Sequence, residues 1–414
     1  MTRLARRIGV RDAVVVGLGS MLGAGVFVVF APAAAVAGGP GLLVALALAG
    51  LVAFCNATSS ARLAARYPES GGTYVYGRER LGAFAGFLAG WGFVAGKTAS
   101  CAAMAFAIGA YLWPDHARVV AIVAVVAVTA VNLRGVEKTA TATHWLVAVT
   151  LVVLATVAVV GLVTGPVRPS YLADFAGTGP PGVLTAAGLL FFAFAGYARI
   201  ATLGEEVRDP ERTIPRAVPL ALGMVLAIYL VLAVVAVGVL GPIRLAASPA
   251  PLAEVVTAAG LPGLAWLVRL GAVVAVTGVL LALVAGVGRT VFAMARRRDL
   301  PAVLDAVHPR RRVPHRAEFA VAGAVVVLVA LGDLRTAIGF SSCTVLVYYA
   351  ITNAAALTLG RDPARRMPVQ VLAACGLAGC VLLAVTLPLP SVLAGFGVLV
   401  AGAVWYAGRT LARR

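Results

Sequence analysis

The sequence predicts an all-α polytopic membrane protein, a single domain over residues 1–414 with about twelve transmembrane helices. Three observations carry this prediction. Of the 414 residues, 61% are apolar and only 12% are charged, whereas an average soluble domain carries about 25% charged residues. The apolar residues gather in runs long enough to span a bilayer, roughly 17–25 residues each. The basic residues behind the formal charge of +18 lie between those runs. Together these exclude an ordinary soluble enzyme, because a chain this apolar hides its surface only where lipid is the solvent.

The first run, 12–37, follows an N-terminus with Arg3, Arg6, Arg7 and Arg11. Its length and internal Gly17, Gly19, Gly23 and Gly25 fit an uncleaved span better than a signal peptide. Runs follow at 41–65, 82–113, 117–133 and 144–165, then at 182–204, 216–240, 262–295, 317–332 and 335–359, and last at 368–387 and 389–408. Alternate connections differ sharply in charge. The set comprising both termini and every even-to-odd loop holds 26 Lys and Arg residues, among them Arg78, Arg80, Arg208, Arg212, Arg311 and Arg361. The opposite set holds five: Arg118, Arg168, Arg244, Arg269 and Arg335. Basic residues are retained on the cytoplasmic side, so both termini are expected in the cytoplasm of a cytoplasmic (inner) membrane. This topology signal, with attraction to anionic lipid, accounts for the charge without nucleic acid.

Five cysteines without a CxxC pair indicate neither a disulfide framework nor a zinc site. All four histidines fall in or beside loops, against a haem or metal held in mid-membrane. No metal, cofactor or obligate protein partner is implied.

Two runs carry weak points. In the first, Gly17, Gly19, Ser20, Gly23 and Gly25 crowd the middle of the span. They read either as a close-packing surface or as a break whose freed N–H groups hold a carboxylate. The sixth contains Phe191-Phe192-Ala193-Phe194-Ala195-Gly196-Tyr197-Ala198-Arg199. Two interrupted spans five helices apart are the pattern of an inverted-repeat transporter, with the site between them. Phe192, Phe194 and Tyr197 either pack or cover a bound solute.

Residues 191–197, followed by Glu205-Glu206-Val207-Arg208-Asp209-Pro210-Glu211-Arg212, closely resemble helix 6 and loop 6–7 of the amino acid–polyamine–organocation (APC) superfamily. The branch most similar contains cationic amino acid transporters and their bacterial relatives. Residues 19–27 resemble the family's helix 1 motif, 68–76 its loop 2–3, and 288–296 the end of its helix 8. The resemblance implies two inverted five-helix repeats, 12–165 and 182–359, with helices 1 and 6 discontinuous, plus two peripheral helices over 368–408. It implies secondary transport of an amino acid by alternating access, with no covalent chemistry. Carried over by position, the backbone around Ser20, Gly23, Ala24 and Gly25 binds the α-carboxylate. Carbonyls near Phe192, Ala193, Ala195 and Gly196 accept the α-ammonium, and Tyr197 stands near an aromatic gate. A permease or exchanger for another amine or polyamine is the alternative, and an ion channel is disfavoured by the scarcity of polar residues in the spans.

The sequence also departs from the family. Thr150 stands at about the helix 5 position where many proton-coupled relatives carry a lysine, and it cannot carry a proton. Helix 8 around Val276–Leu283 lacks the paired hydroxyls of a sodium site, so sodium is not supported and proton coupling stays open. Lys97 is a lysine within a span, and is either a coupling or pathway group or a structural one. Cationic relatives tend to carry a glutamate at about Gly96, so the neighbouring lysine favours a neutral or acidic substrate. Arg199 faces the pathway or simply the wetter end of its helix, and Glu205, Glu206 and Arg289 form either a cytoplasmic gate or a static ion pair.

Overall fold

The computed structural model describes residues 8–23, 25–67, 71–135, 140–175, 179–201, 207–360 and 369–412. They form helices throughout, with one isolated parallel bridge between Ile8 and Val207. This follows from the solvent: in lipid each span must satisfy its own backbone polar groups, which helices do locally.

The first run becomes α1 (Val10–Leu22) and α2 (Gly25–Val28), separated at Gly23. The chain continues in α3 (Phe30–Arg66), where Gly38, at φ 69° and ψ −163°, turns a sharp corner before Pro40. The stretch 25–37 is therefore the second half of the first span, and the remainder of α3 is the second span. A short α4 (Thr73–Leu81) leads into α5 (Ala83–Leu112), α6 (Ala117–Leu133) and α7 (Ala140–Val163). After α8 (Ser170–Ala173), the sixth run is α9 (Pro180–Phe194), a 3-10 turn over Ala195–Tyr197, and α10 (Ala198–Ala201). Then come α11 (Pro210–Ala247), with its own corner at Gly241, and α12 (Pro251–Ala258). The chain finishes with α13 (Pro262–Arg296), α14 (His315–Leu331), α15 (Leu334–Leu357), α16 (Val369–Val385) and α17 (Leu389–Leu411).

Where the sequence predicts about twelve spans, ten helical stretches among the described residues are long and apolar enough to cross a membrane. The differences are α14 and α16, at 17 residues each. Helix α14 is delimited by Pro314 and Gly332, and α16 starts at the edge of the described residues.

The centre of the bundle is aromatic. Phe27, Phe30, Tyr111, Phe191, Phe194, Tyr197, Tyr229 and Tyr349 are fully buried where α3, α5, α9, α11 and α15 meet. Outer faces stay apolar: Trp145, Val152, Val159 and Val163 on α7, and Leu393, Val400 and Val404 on α17, are all exposed. That inversion is expected of lipid-facing helices.

Contacts join the basic connections to one another. The Arg208 amide donates to Ile8, Arg311 to the Leu133 carbonyl, and Arg80 to Thr358. Asp299, after α13, is buried and accepts from the Tyr74 hydroxyl (2.6 Å), Arg78 (2.9 Å) and Arg409 (2.5 Å). Burial, then the bond to Asp299, pushes the Tyr74 phenol up. The sparsely basic connections are joined likewise, Arg118 to the Gly332 carbonyl and Arg335 to that of Ala246.

Candidate substrate cavity

Both interruptions sit at glycines, the residue least favourable to a helix after proline: Gly23 and Gly25 in one and Gly196 in the other. They lie against each other. A side chain at Gly17 would strike Ile200, one at Gly196 the Ser20 carbonyl, and one at Gly25 the Ala193 backbone. As one residue number rises the other falls, so the two interrupted helices cross antiparallel with their breaks together.

An interrupted helix leaves carbonyls without helical donors, and buried acceptors need partners. Tyrosines from three neighbouring helices supply them. The Tyr229 hydroxyl of α11 reaches the carbonyls of Met21 (2.7 Å) and Ala193 (3.2 Å), one on each broken helix. Tyr111 of α5 donates to the Phe27 carbonyl (2.8 Å), and Tyr349 of α15 to that of Ala195 (3.3 Å). Lys97 Nζ, from α5, also lies 3.4 Å from the Ala195 carbonyl oxygen. Lys97 is 8% exposed, and among the described residues no carboxylate pairs with it.

Beside the crossing lies a cavity of about 360 Å³. Its inner wall is Ser20, Met21 and Gly25 of the first broken helix, Phe192, Ala193, Ala195 and Gly196 of the second, and Lys97 and Ser100 of α5. From there it runs past Ala198, Gly286 and Thr290 to Arg199, Arg289 and Arg297, at the end of the bundle that carries α4 and Asp299. Phe93 and Tyr348, with ring centroids 5.3 Å apart, flank it. Backbone polar groups, small side chains, four aromatic rings (Tyr74, Phe93, Phe192 and Tyr348) and four cationic side chains surround a volume sized for a small molecule.

Of the expected site residues, Ser20, Gly25, Phe192, Ala193, Ala195 and Gly196 line the cavity, as do Lys97, Arg199 and Arg289. Three do not. Gly23 abuts Val279 of α13, which any side chain there would strike. Tyr197 is fully buried behind the wall, its ring 5.1 Å from that of Tyr349. Thr150 is buried on α7 and bonds the Leu146 carbonyl of its own helix (2.8 Å). Ala24, Glu205 and Glu206 lie outside the described residues. Arg289, besides lining the cavity, is within electrostatic reach of the buried Glu318 of α14, which packs on Gly288.

The sequence reading missed Tyr229, Tyr349 and Tyr111. The available signal was a tyrosine inside an otherwise apolar run, because a buried hydroxyl requires an acceptor. It also missed Phe93 and Tyr348, whose positions resemble ordinary core.

A model of the amino acid permease family matches residues 8–408. The chain belongs to the amino acid permease family. The APC resemblance is thereby borne out, and the protein is a multi-pass membrane transporter rather than an enzyme. It is 59% identical to an uncharacterized transporter of Mycobacterium tuberculosis over 99% of this chain and 93% of that one. It is 27% identical to the methylthioribose transporter of Bacillus subtilis, covering 76% of this chain and 72% of the relative. The branched-chain amino acid permease BcaP of Bacillus subtilis is also 27% identical, over 84% and 80%.

Proposed function

We propose that this permease moves an amino acid across the cytoplasmic membrane by alternating access, as a secondary transporter. The observation that carries the reading is the cavity of about 360 Å³ beside two antiparallel broken helices, lined by backbone from both. The start of the half-helix 25–37 offers N–H groups and the positive end of its dipole to the α-carboxylate. Carbonyls of Phe192 and Ala193 meet the α-ammonium, the second of them shared with the Tyr229 hydroxyl, while the Ala195 carbonyl already holds Tyr349 and Lys97. The twelve spans form two inverted five-helix halves, 12–165 and 182–359, with 368–408 peripheral. Both termini and the basic end of the bundle face the cytoplasm, so the cavity is open inward in this conformation. Lys97 is the group available for proton coupling, and the helix 8 sequence gives sodium no support.

Counterflow into liposomes loaded with a mixture of the common amino acids tests the proposal. Saturable, transient accumulation of at least one labelled amino acid is expected. Flux that never saturates would instead make the protein a channel, and no flux with any amino acid would remove the reading.

A further inference from the structure

The charge of the cavity names a substrate class. Among the described residues lining it are four cationic side chains, Lys97, Arg199, Arg289 and Arg297, and no carboxylate. Glu318 lies behind Arg289, outside the wall. The innermost cation is the most constrained. Lys97 is nine-tenths buried, and its hydrogen bond to the neutral Ala195 carbonyl is a long one, 3.4 Å. A buried ammonium so weakly held is poised for an anion, and hydrogen bonds between ionised partners are shorter and about twice as strong as neutral ones.

Lys97 also stands where a second cation would be repelled. Its ammonium and the Tyr349 hydroxyl both reach the Ala195 carbonyl, so a cationic side chain would compete with both for that acceptor. An amino acid with a basic side chain meets the like charge of Lys97 at the inner wall, and one with an aliphatic side chain leaves Lys97 without a counter-ion from the side chain. We infer that the substrate is an amino acid carrying a second carboxylate, whose side-chain oxygens pair with Lys97 Nζ. This rests on the reading of the cavity as an amino acid site, and adds to it the chemistry of the side chain.

The test is counterflow of labelled L-glutamate, L-aspartate, L-leucine and L-arginine in proteoliposomes of the wild-type chain, Lys97→Met and Lys97→Arg. Folding of each variant is checked by gel filtration. Wild type is expected to carry glutamate or aspartate at least about tenfold better than leucine or arginine. Lys97→Met lowers that ratio by about 10- to 100-fold, the range expected for losing a charge-assisted hydrogen bond, and Lys97→Arg keeps the acidic preference. A wild type that carries leucine or arginine in preference, or a folded Lys97→Met with the ratio intact, overturns the inference and leaves the amino acid permease reading standing. Absence of counterflow with all four and with every other amino acid overturns that underlying reading instead.

Discussion

Replacing Tyr229 by phenylalanine removes a single oxygen from the point where both interruptions are tied together. The ring contacts survive, since Tyr229 packs edge-on against Phe30 at 6.4 Å and tilted against Phe194 at 5.2 Å, geometries that phenylalanine keeps. What is lost is the hydroxyl between the Met21 carbonyl at 2.7 Å and the Ala193 carbonyl at 3.2 Å. One hydroxyl has one proton, so the two acceptors share it and the loss is less than two full bonds. A net hydrogen bond contributes about 0.5–1.5 kcal/mol, and a buried acceptor left bare costs about 1–3 kcal/mol. The expected destabilisation is therefore about 1–3 kcal/mol. It is read as a fall of a few degrees in the unfolding midpoint of detergent-purified protein, at a matched scan rate because such unfolding is commonly irreversible. Counterflow should fall as well, since the carbonyls freed by the change border the cavity. An unaltered midpoint together with unaltered counterflow would refute the idea that tyrosine hydroxyls hold the two breaks.

Two further substitutions probe the ends of the bundle. Asp299→Asn removes the charge that Arg78 and Arg409 share; breaking a buried pair costs about 3–5 kcal/mol, and with the arginines 24% and 15% exposed about 2 kcal/mol is expected in the same thermal assay. Asp333→Ala removes the N-cap of α15, where the carboxylate accepts from the Thr336 amide (3.0 Å) and hydroxyl (2.7 Å), and is expected to cost about 1 kcal/mol near neutral pH. Burial raises the Asp333 carboxyl, but the bonds from Thr336 outweigh it and hold the group below its ordinary value. A depressed folded value places the stabilisation above the unfolded aspartate range, so the gap between wild type and variant should narrow as pH falls below about 4. A gap that widens in acid would contradict the cap.

Much of this architecture is legible in the sequence because membrane helices obey local rules. Apolar runs mark the spans, alternate basic connections mark the ends, and Gly23, Gly25 and Gly196 mark the interruptions before any coordinate is known. The partners of those interruptions are not local. Tyr229 meets a carbonyl 208 residues away and Tyr349 one 154 residues away, separations at which helical periodicity holds no information. Asp299 is hidden for a related reason. In sequence it trails three arginines that read as a topology signal, whereas its ion pairs are with Arg78 and Arg409, in other connections. Gly23 belongs to the break, yet its exposed side is taken by Val279 of α13, a neighbour that only the packed bundle reveals.

The central claim is that a transported amino acid occupies the cavity beside the two breaks. Gly286 of α13 lines that cavity, and a β-carbon there meets open space, so a cysteine fits without displacing a neighbour. The measurement is the rate of maleimide labelling at Gly286→Cys, followed by mass spectrometry of that peptide, with and without the amino acid that supports counterflow. The account predicts that the amino acid slows labelling in proportion to its occupancy, and that complete labelling stops counterflow. Full labelling at an unchanged rate, with counterflow intact, would place the transported solute elsewhere in the molecule.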